Sequence, residues 1–364
     1  MTTSKPIAII GGGLMGRLLA MDLARKNYSV QVFEKGNEDA SNSAAFAAAA
    51  MLAPLAESAI TEPNVVNMGI YSLAKWKELI NSLCKPVFFQ QNGTLILWHR
   101  QDSHEATRFK ELINKTCKTN SALAHPQALD QSSISSLEVG INSSLSNGLL
   151  LPNEGQLDNR QLLEALAFEC KKLQVNFHWN TVIDIEQFPV QQYQWVIDTR
   201  GLGAKNDLTN LRGVRGEVIR LHAPEVSLNR PTRLIHPKYP IYIAPKQNNV
   251  FVIGATEIES EDLSPISVRS SLELLSAAYS VHSGFAEARI LETTTQCRPT
   301  LNDNLPKIYR DNNNLIRING LYRHGFMISP AILDATTSII QSNDYSLANT
   351  FNLIESESEH ASIH

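Results

Sequence analysis

The sequence predicts an α/β protein, α+β overall, in which a mostly parallel sheet is interleaved along the chain with a mostly antiparallel sheet. Two observations predict this class. Strand and amphipathic helix patterns alternate over residues 5–98 and 158–201, which is typical of parallel sheets. Between residues 213 and 256 short apolar runs are instead separated by Pro, Asn and Gly turns, which is typical of antiparallel strands.

The N-terminal segment predicts a strand, a tight turn, a helix and a second strand in succession. The apolar run 7–10 leads into Gly11-Gly12-Gly13-Leu14-Met15-Gly16, a helix pattern follows, and the run 29–33 ends in Glu34. A Gly-x-Gly-x-x-Gly motif in this setting is the fingerprint of a Rossmann-like unit. An ordinary βαβ unit with a glycine-rich turn is the alternative.

Each residue type in this motif has a physical reason. Gly11 permits the tight turn, Gly13 lets backbone N–H groups approach a pyrophosphate, and Gly16 lets the helix pack close to the strand. The positive end of the helix dipole then faces the phosphates. Glu34 can accept hydrogen bonds from ribose hydroxyls, which argues against a 2′-phosphate. The segment therefore predicts binding of a dinucleotide.

The rest of the chain divides into further helix and strand patterns. In order they are a helix over 64–83, a strand over 93–98, peripheral helices and loops over 101–147, a helix over 158–173, strand-like runs at 175–179, 182–185 and 195–201, strands over 217–221, 241–244 and 250–254, a helix over 267–281, a strand over 288–296 and a helix over 331–341. An acidic, serine-rich tail begins at Glu355 and is expected to fray.

These patterns predict two interleaved domains with the site between them. Residues 1–85, 150–212 and 296–364 are assigned to the dinucleotide-binding domain. Residues 86–149 and 213–295 are assigned to the substrate or cap domain.

Composition and charge exclude several classes of function. The 364 residues carry a formal charge of −4, with 32 basic and 36 acidic side chains, so nucleic acid is not an expected partner. The longest uncharged apolar run, 44–56, contains Pro54 and is well short of the ~20 residues that span a bilayer. Glycines and Arg17 interrupt the N-terminal apolar run, which is therefore not expected to be a signal peptide. A cytoplasmic protein without a membrane span or metal site is expected, since the four cysteines and ten histidines show no metal-ligand spacing.

Beyond the N-terminal motif, further segments carry a resemblance that extends over nearly the whole chain. They are Ala47–Pro54 with Glu57, Glu154–Asp158, Arg215–Glu217, Tyr242–Pro245 followed by Gly254–Thr256, Cys297–Pro299 with Asp303, and Gly320–Gly325 with Ser329–Pro330. With these segments the chain resembles FAD-dependent oxidoreductases of the D-amino-acid oxidase superfamily, and within it the glycine oxidase type of the thiamine pathway. The resemblance implies that the dinucleotide is FAD. Since no His or Cys stands at a matching attachment position, the cofactor is expected to be noncovalent.

The resemblance also implies which residues contact FAD. The alanines over 44–50 are small enough for a planar ring to lie against the backbone, with a buried Ala-rich helix as the alternative. Residues 321–327 match a loop whose N–H groups approach the flavin, where they would stabilise negative charge on the reduced ring. The expected cofactor residues are Gly11, Gly13, Leu14, Met15, Gly16, Glu34, Lys35, Ala44, Ala45, Ala49, Ala50, Met51, Val182, Gly201, Tyr322, Arg323, His324, Gly325, Phe326 and Met327.

Three residues are expected to act on the substrate. Arg298 matches the arginine that holds the substrate carboxylate, because a planar guanidinium can donate two parallel hydrogen bonds to it. Tyr242 matches a tyrosine that adds a hydroxyl hydrogen bond, and Arg323 matches an arginine near substrate and flavin. The alternatives are an exposed ion pair for Arg298 and cross-strand packing for Tyr242. The side chain of His324 is expected to be packed or solvent-facing.

The reaction that the resemblance implies is oxidation of a small amino acid or secondary amine, bound as the neutral amine. The Cα hydrogen leaves as a hydride to flavin N5, the resulting imine is hydrolysed to a 2-oxo acid and ammonia, and O2 reoxidises the flavin to give H2O2. No protein base is required, which fits the lack of a Ser/His/Asp or Cys/His pattern in the sequence.

Four positions depart from the pattern of the family. Lys246 stands where an arginine is common, His324 where an asparagine is common, Ala50 where a glycine is common, and Glu257 replaces an apolar residue. A carboxylate at position 257 that faced the flavin would favour a cationic group and oppose a simple amino acid. The preferred substrate is therefore open.

These departures also leave other functions open. The chain is similar to flavoproteins that oxidise or hydroxylate a tryptophan of a partner enzyme during cysteine tryptophylquinone biosynthesis, which need an accessible flavin and a docking surface. A nicotinamide dehydrogenase is a weaker alternative, because the Ala-rich segment and Gly320–Gly325 have no role in it. A noncatalytic binding module would need a degenerate site, yet Arg298, Tyr242 and the glycines are all present.

Overall fold

The computed structural model describes residues 5–235, 241–311 and 314–354. The strands of these residues are β1 (Ile7–Ile10), β2 (Val30–Phe33), β3 (Met51–Leu52), β4 (Phe89–Gln90), β5 (Thr94–Leu97), β6 (Gln127–Asp130), β7 (Asn147–Leu151), β8 (Gly155–Leu157), β9 (Asn176–His178), β10 (Trp195–Asp198), β11 (Leu211–His222), β12 (Thr232–Leu234), β13 (Ile241–Pro245), β14 (Val250–Gly254), β15 (Arg289–Leu301), β16 (Lys307–Asp311) and β17 (Leu315–Asn319). The α-helices are α1 (Leu14–Arg25), α2 (Ala44–Ala47), α3 (Pro54–Glu57), α4 (Pro63–Asn81), α5 (Ser103–Thr119), α6 (Gln131–Leu137), α7 (Asn159–Lys172), α8 (Val268–Val281), α9 (Gly325–Ser342) and α10 (Ser346–Thr350). The tail from Glu355 lies outside the described residues.

A six-stranded sheet in the order β16-β17-β10-β1-β2-β9 contains the N-terminal motif. Neighbouring strands are parallel except β16 and β17. All four residues of β1 are buried, because Ile7 and Ile9 pack in the core that includes α1 and α9, while Ala8 and Ile10 pack on the opposite face. The carboxyl ends of β1, β2 and β10 therefore lie at one edge of the sheet, where ligands bind in folds of this kind.

The run 182–185 covers this sheet and does not extend it, so the prediction of a strand there is wrong. Residues 182–185 form no strand in the described chain. Ile183 and Ile185 instead pack against Ala8 and Ile10. The apolar spacing of this segment therefore reflects burial under the sheet.

An eight-stranded sheet has the order β15-β11-β14-β13-β12-β5-β7-β6 and is antiparallel except between β12 and β5. A small sheet, β3-β8-β4, completes the mixed α/β fold that the sequence predicts. Strand β15 continues to Leu301, beyond the predicted end at 296, because it pairs along the whole length of β11. Arg298 therefore lies within a strand, opposite Val214. The division into two domains at the stated boundaries stays a prediction.

Helix α9 begins at Gly325, several residues before the predicted start at 331. Pro330 lies inside it and has no N–H to donate to the carbonyl oxygen of Phe326, four residues earlier. The indole Nε1 of the fully buried Trp76 donates to that oxygen instead, at 2.7 Å. Residues 325–327 are therefore the first turn of a helix and not part of a loop.

Membrane and metal chemistry have no counterpart in the part of the chain that the structure describes. No helix there combines the length and apolar character that a bilayer crossing requires. Within these described residues, no group of three or more His, Cys, Asp or Glu side chains is arranged to hold a metal ion.

Candidate active site

A cavity of about 370 Å³ opens between the carboxyl edge of the six-stranded sheet and one face of the eight-stranded sheet. Its walls contain the three expected substrate residues, Arg298, Tyr242 and Arg323. The other expected cofactor residues in its walls are Gly11, Gly13, Leu14, Met15, Glu34, Lys35, Ala44, Ala45, Ala49, Ala50, Met51, Gly201, Tyr322, His324, Gly325, Phe326 and Met327. Two lie elsewhere: Gly16 is under the glycine turn, and Val182 is 81% exposed and does not line the cavity. The role of each residue toward FAD stays a prediction.

The glycine turn after β1 is shaped by close backbone approaches. Gly11 has a φ of +106°, and a Cβ there would lie 2.8 Å from the carbonyl carbon of Thr199. A Cβ on Gly16 would lie 1.8 Å from the carbonyl oxygen of Gly11. Around Gly13, in contrast, the nearest atom to such a Cβ is Ser43 Cβ at 3.9 Å. The space beside Gly13 at the start of α1 is therefore open to the cavity, which suits a phosphate at the helix N-terminus.

Two charged side chains hold this turn. Glu34 Oε2 accepts a hydrogen bond from the N–H of Gly12 at 2.5 Å, and Oε1 accepts one from Gly36 at 2.7 Å. Arg17 is fully buried, and its guanidinium donates to three backbone carbonyl oxygens at 2.7 Å, that of Gly12 among them. The sequence motif does not reveal this role of Arg17, because the carbonyl partners come from separate parts of the chain.

The Ala-rich segment forms another part of the cavity wall. It is helical only in α2 and then extended, so a continuous Ala-rich helix does not form. Ala50 has a φ of +53°, the left-handed region that favours glycine, which explains why a glycine suits this position. Ala47 and Ala49 pack against Tyr242 and its neighbours on the eight-stranded sheet. The Ala-rich segment therefore contributes only methyl groups and backbone to the wall beside this face of the sheet.

Lys246 fixes the Ala-rich segment from the side of the sheet. Its Nζ is buried and donates to the carbonyl oxygens of Ala49 at 2.8 Å and Leu157 at 2.7 Å, and to Gln156 Oε1 at 3.1 Å. Burial lowers the pKa of Lys246 to about 7. Lys246 therefore supports the wall and does not line the cavity itself.

Arg298 is a half-buried cation at the end of the cavity where the substrate is expected to bind. Its NH1 and NH2 donate to the carbonyl oxygens of Arg215 at 3.2 Å and Thr256 at 3.1 Å. No carboxylate of the described residues lies within ion-pair distance of it, so the alternative of an exposed ion pair does not describe this residue. Burial lowers the pKa of Arg298 and raises that of Tyr242, which leaves the tyrosine a neutral hydroxyl. Both side chains face the same cavity.

Glu57 is the centre of a buried charge cluster beside them. Its Oε1 is 2.6 Å from NH2 of Arg233, and its Oε2 is 3.1 Å from Nε of Arg323 and 3.5 Å from Nδ1 of His324. Burial alone would raise the pKa of Glu57, but Arg323, Arg233 and His324 hold it well below its ordinary value. Burial lowers the pKa of His324 to about 4, so its imidazole is neutral near pH 7. Of the two expectations for His324, a packed or a solvent-facing side chain, the structure shows the packed one, at 4% exposure.

Glu257 lies at the open end of the cavity, where its side chain is 37% exposed. Its Oε1 accepts from the Tyr322 hydroxyl at 2.7 Å, and its Oε2 accepts from NH1 of Arg323 at 2.9 Å. Arg323 is therefore shared by two carboxylates, Glu57 and Glu257. Although burial opposes it, these carboxylates raise the pKa of Arg323.

Two residues of this end are missing from the sequence-based set. Arg233 comes from β12, and Glu57 comes from α3 within a segment that carried the family resemblance but had no assigned role. Arg233 and Glu57 form a buried ion pair although they are far apart in sequence. The residues around Arg233 contain no recognisable motif, so the sequence does not mark it. A lone acidic residue directly after the uncharged run 44–56 was the available signal for Glu57.

The family model for DAO, described as FAD dependent oxidoreductase, matches residues 6–338. The chain belongs to the DAO family. It is 35% identical to a Rhizobium etli protein that carries the name thiamine biosynthesis oxidoreductase ThiO, over 90% of this chain and 93% of that protein.

Two glycine oxidases are also similar to this DAO family member. The enzyme from Geobacillus kaustophilus is 25% identical over 91% of each chain. The crystal structure of the Bacillus cereus enzyme has a TM-score of 0.81 with 21% identity, and the match covers 94% of this chain and 96% of that chain. The similarity to the Bacillus cereus structure shows that the two chains share the same fold.

The cavity fits the FAD of a DAO family oxidoreductase. The open space at Gly13 and the start of α1 can accept the pyrophosphate. The alanines leave room for a ring against the backbone, and the first turn of α9 brings N–H groups to the same cavity. The mode of attachment of FAD stays a prediction.

Proposed function

We propose that this DAO family member is an oxidase of small amino acids or secondary amines that uses O2 as its electron acceptor. The observation that carries the proposal is Arg298, a half-buried guanidinium in the cavity whose partners in the described chain include no carboxylate. Such a cation is a favourable partner for a substrate carboxylate. The similarity to proteins named glycine oxidase supports the same substrate class.

The roles of the chain's own groups follow from their positions. FAD, when bound, supplies the hydride acceptor and the reaction with O2. Arg298 binds the substrate carboxylate, and the Tyr242 hydroxyl donates a further hydrogen bond to it. The N–H groups in the first turn of α9 stabilise negative charge on the cofactor. Glu57 and Glu257 are already paired with arginines, so the substrate amine is bound in its neutral form.

The decisive experiment is the visible spectrum of the purified protein, followed anaerobically as glycine, sarcosine and small D-amino acids are added in turn. Rapid bleaching of the flavin by one of them supports the proposal and identifies the substrate class. A flavin spectrum that none of them bleaches contradicts it. That result would favour oxidation of a tryptophan in a partner enzyme, and the partner would then be sought. The proposal also includes a cytoplasmic location for the protein.

A further inference from the structure

The substrate end of the cavity contains one carboxylate in a position where a substrate carboxylate could otherwise bind. Glu257 accepts hydrogen bonds from Arg323 NH1 at 2.9 Å and from the Tyr322 hydroxyl at 2.7 Å. Both donors line the cavity, as does Glu257 itself. A guanidinium next to a phenol hydroxyl is the kind of donor pair that grips a carboxylate, and Arg298 with Tyr242 offers a second pair of the same kind.

The charges at this end leave a single cation for an incoming anion. Arg233 is paired with Glu57, and Nε of Arg323 faces Glu57 while NH1 faces Glu257. His324 is neutral near pH 7. Arg298 alone among these described arginines donates only to backbone carbonyl oxygens. The cluster therefore has the charge to hold one carboxylate.

We propose, resting on the oxidase function proposed above, that Glu257 acts as an internal counter-ion of Arg323 and restricts the substrate to monocarboxylates. A substrate with a second carboxylate finds Arg323 NH1 and the Tyr322 hydroxyl already occupied, and it is repelled by the charge of Glu257. A substrate with one carboxylate and a small neutral substituent meets neither obstacle. Glu257 is thus a specificity-determining residue and not a catalytic one.

The variant Glu257→Gln tests this with little change of shape. The amide oxygen of the glutamine can still accept from Tyr322, but the negative charge is gone and NH1 of Arg323 is released to bind an anion. Glu259→Gln is the matched control, because Glu259 lies two residues away, is 70% exposed, and pairs only loosely with Arg212 at 3.6 Å. It removes the same charge outside the cavity walls.

Two pairs of ligands that differ by one carboxylate give the readout on the FAD-loaded protein. Sarcosine and N-carboxymethylglycine are compared by their rates of anaerobic flavin reduction. The thioethers methylthioacetate and thiodiacetate carry no amine, and their Kd values are measured by calorimetry and by the change of the flavin spectrum. In Glu257→Gln we expect the preference for the dicarboxylate over the monocarboxylate to rise by about tenfold or more, as expected for one charge-assisted hydrogen bond and the loss of repulsion. In Glu259→Gln the preference should equal that of the wild type.

Tyr322→Phe separates charge from hydrogen bonding, because it removes one donor to Glu257 and leaves the carboxylate in place. Tyr322→Phe should therefore keep the wild-type preference for the monocarboxylate over the dicarboxylate. If Glu257→Gln does not fold, Glu257→Ala at this partly exposed position takes its place with the same expected direction.

The inference is overturned if folded Glu257→Gln keeps the wild-type preference for the monocarboxylate over the dicarboxylate. It is also overturned if the wild type binds methylthioacetate and thiodiacetate equally well, or if it binds neither of them. Failure of the proposed function has a different signature. In that case neither glycine nor sarcosine reduces the wild-type flavin, while the ratio of thioether Kd values still responds to Glu257→Gln if the inference is right.

Discussion

The Arg298 guanidinium lies directly over the backbone of Gly216. A Cβ on Gly216 would stand 2.5 Å from both Cζ and NH2 of Arg298, closer than nonbonded atoms approach. Gly216 is on β11 and Arg298 is on the neighbouring strand β15. The absence of a side chain at Gly216 is therefore what permits the position of the proposed carboxylate-binding group.

Gly216→Ala should weaken substrate binding without loss of fold. The atoms in conflict are the end of a flexible side chain, so Arg298 can move aside at small cost in stability. We expect KM for the amine substrate to rise by about tenfold or more, since a charge-assisted contact is misplaced, with a smaller change in kcat. Peroxide production measures this, and Arg298→Ala should raise KM as well. A Gly216→Ala enzyme with wild-type KM would show that the guanidinium position is not required.

Gly13 and Gly16 of the glycine turn should differ in what they support. Gly16→Ala places a Cβ against the Gly11 carbonyl oxygen and should lower the free energy of unfolding of the apoprotein by about 1–3 kcal/mol, the usual cost of overpacking. Gly13→Ala meets no protein atom closer than 3.9 Å and has an ordinary φ of −74°, so the apoprotein should be as stable as the wild type. It should instead weaken FAD binding. Thermal melts of the apoprotein measure its stability, and FAD titrations measure the affinity for the cofactor. If the two variants had the same stability and the same FAD affinity, the separate roles of Gly13 and Gly16 would be contradicted.

The flavin should be released from the denatured protein. Cys84, Cys117 and Cys170 do not line the cavity. Cys297 does, but its buried thiol donates to the carbonyl oxygen of Ser260 at 3.6 Å, and burial raises the pKa of that thiol, which disfavours the reactive thiolate. The one lining histidine of the described residues, His324, faces Glu57. Acid precipitation should therefore leave free flavin in the supernatant. Flavin that stays in the pellet would contradict a noncovalent cofactor.

Glu57 should make the stability of the protein fall with acid. Its pKa in the folded protein lies below its ordinary value of 4.5, so its stabilising effect is complete above that pH and is lost as pH falls below it. Glu57→Gln leaves Arg233 without its partner and should cost about 3–5 kcal/mol near pH 7. The gap in Tm between wild type and variant should narrow as pH falls from 5 toward 3.

A surface pair offers the control for this measurement. Glu164 lies 2.5 Å from Lys85 with its side chain 69% exposed. Glu164→Gln should cost less than ~1 kcal/mol, as exposed pairs do. A Tm gap for Glu57→Gln that does not change with pH would mean that Glu57 does not stabilise the fold through its charge.

The sequence predicts the glycine turn because its requirements are local. Gly11 and Gly16 meet within a few residues, and the strand on either side is an apolar run that must be buried. Arg298 and Tyr242 could be placed in the site only through the resemblance, since strand pairing across the eight-stranded sheet brings them together. Arg233 escaped prediction for the same reason, as its ion pair with Glu57 joins separate elements.

Two wrong predictions have a common cause, which is tertiary contact overriding a local pattern. The run 182–185 has the apolar character of a strand, but its isoleucines cover a sheet instead. Helix α9 extends through Pro330, a residue that locally indicates a helix start or break. The contact that permits this extension comes from Trp76 in α4. Neither contact can be read from the residues that flank the segment.

The hydrogen bond from Trp76 should replace the one that Pro330 cannot make. Trp76→Phe removes the donor to the buried carbonyl oxygen of Phe326 and should cost about 1–3 kcal/mol for the unsatisfied group, in addition to lost packing. In a Pro330→Ala background the new N–H at position 330 can donate to the same oxygen. The loss of packing is the same in both backgrounds, so it cancels in a double-mutant cycle. Trp76→Phe should therefore cost about 1 kcal/mol less in the presence of Pro330→Ala, which denaturant unfolding can measure. Strictly additive effects would show that the indole hydrogen bond does not replace the bond that proline removes.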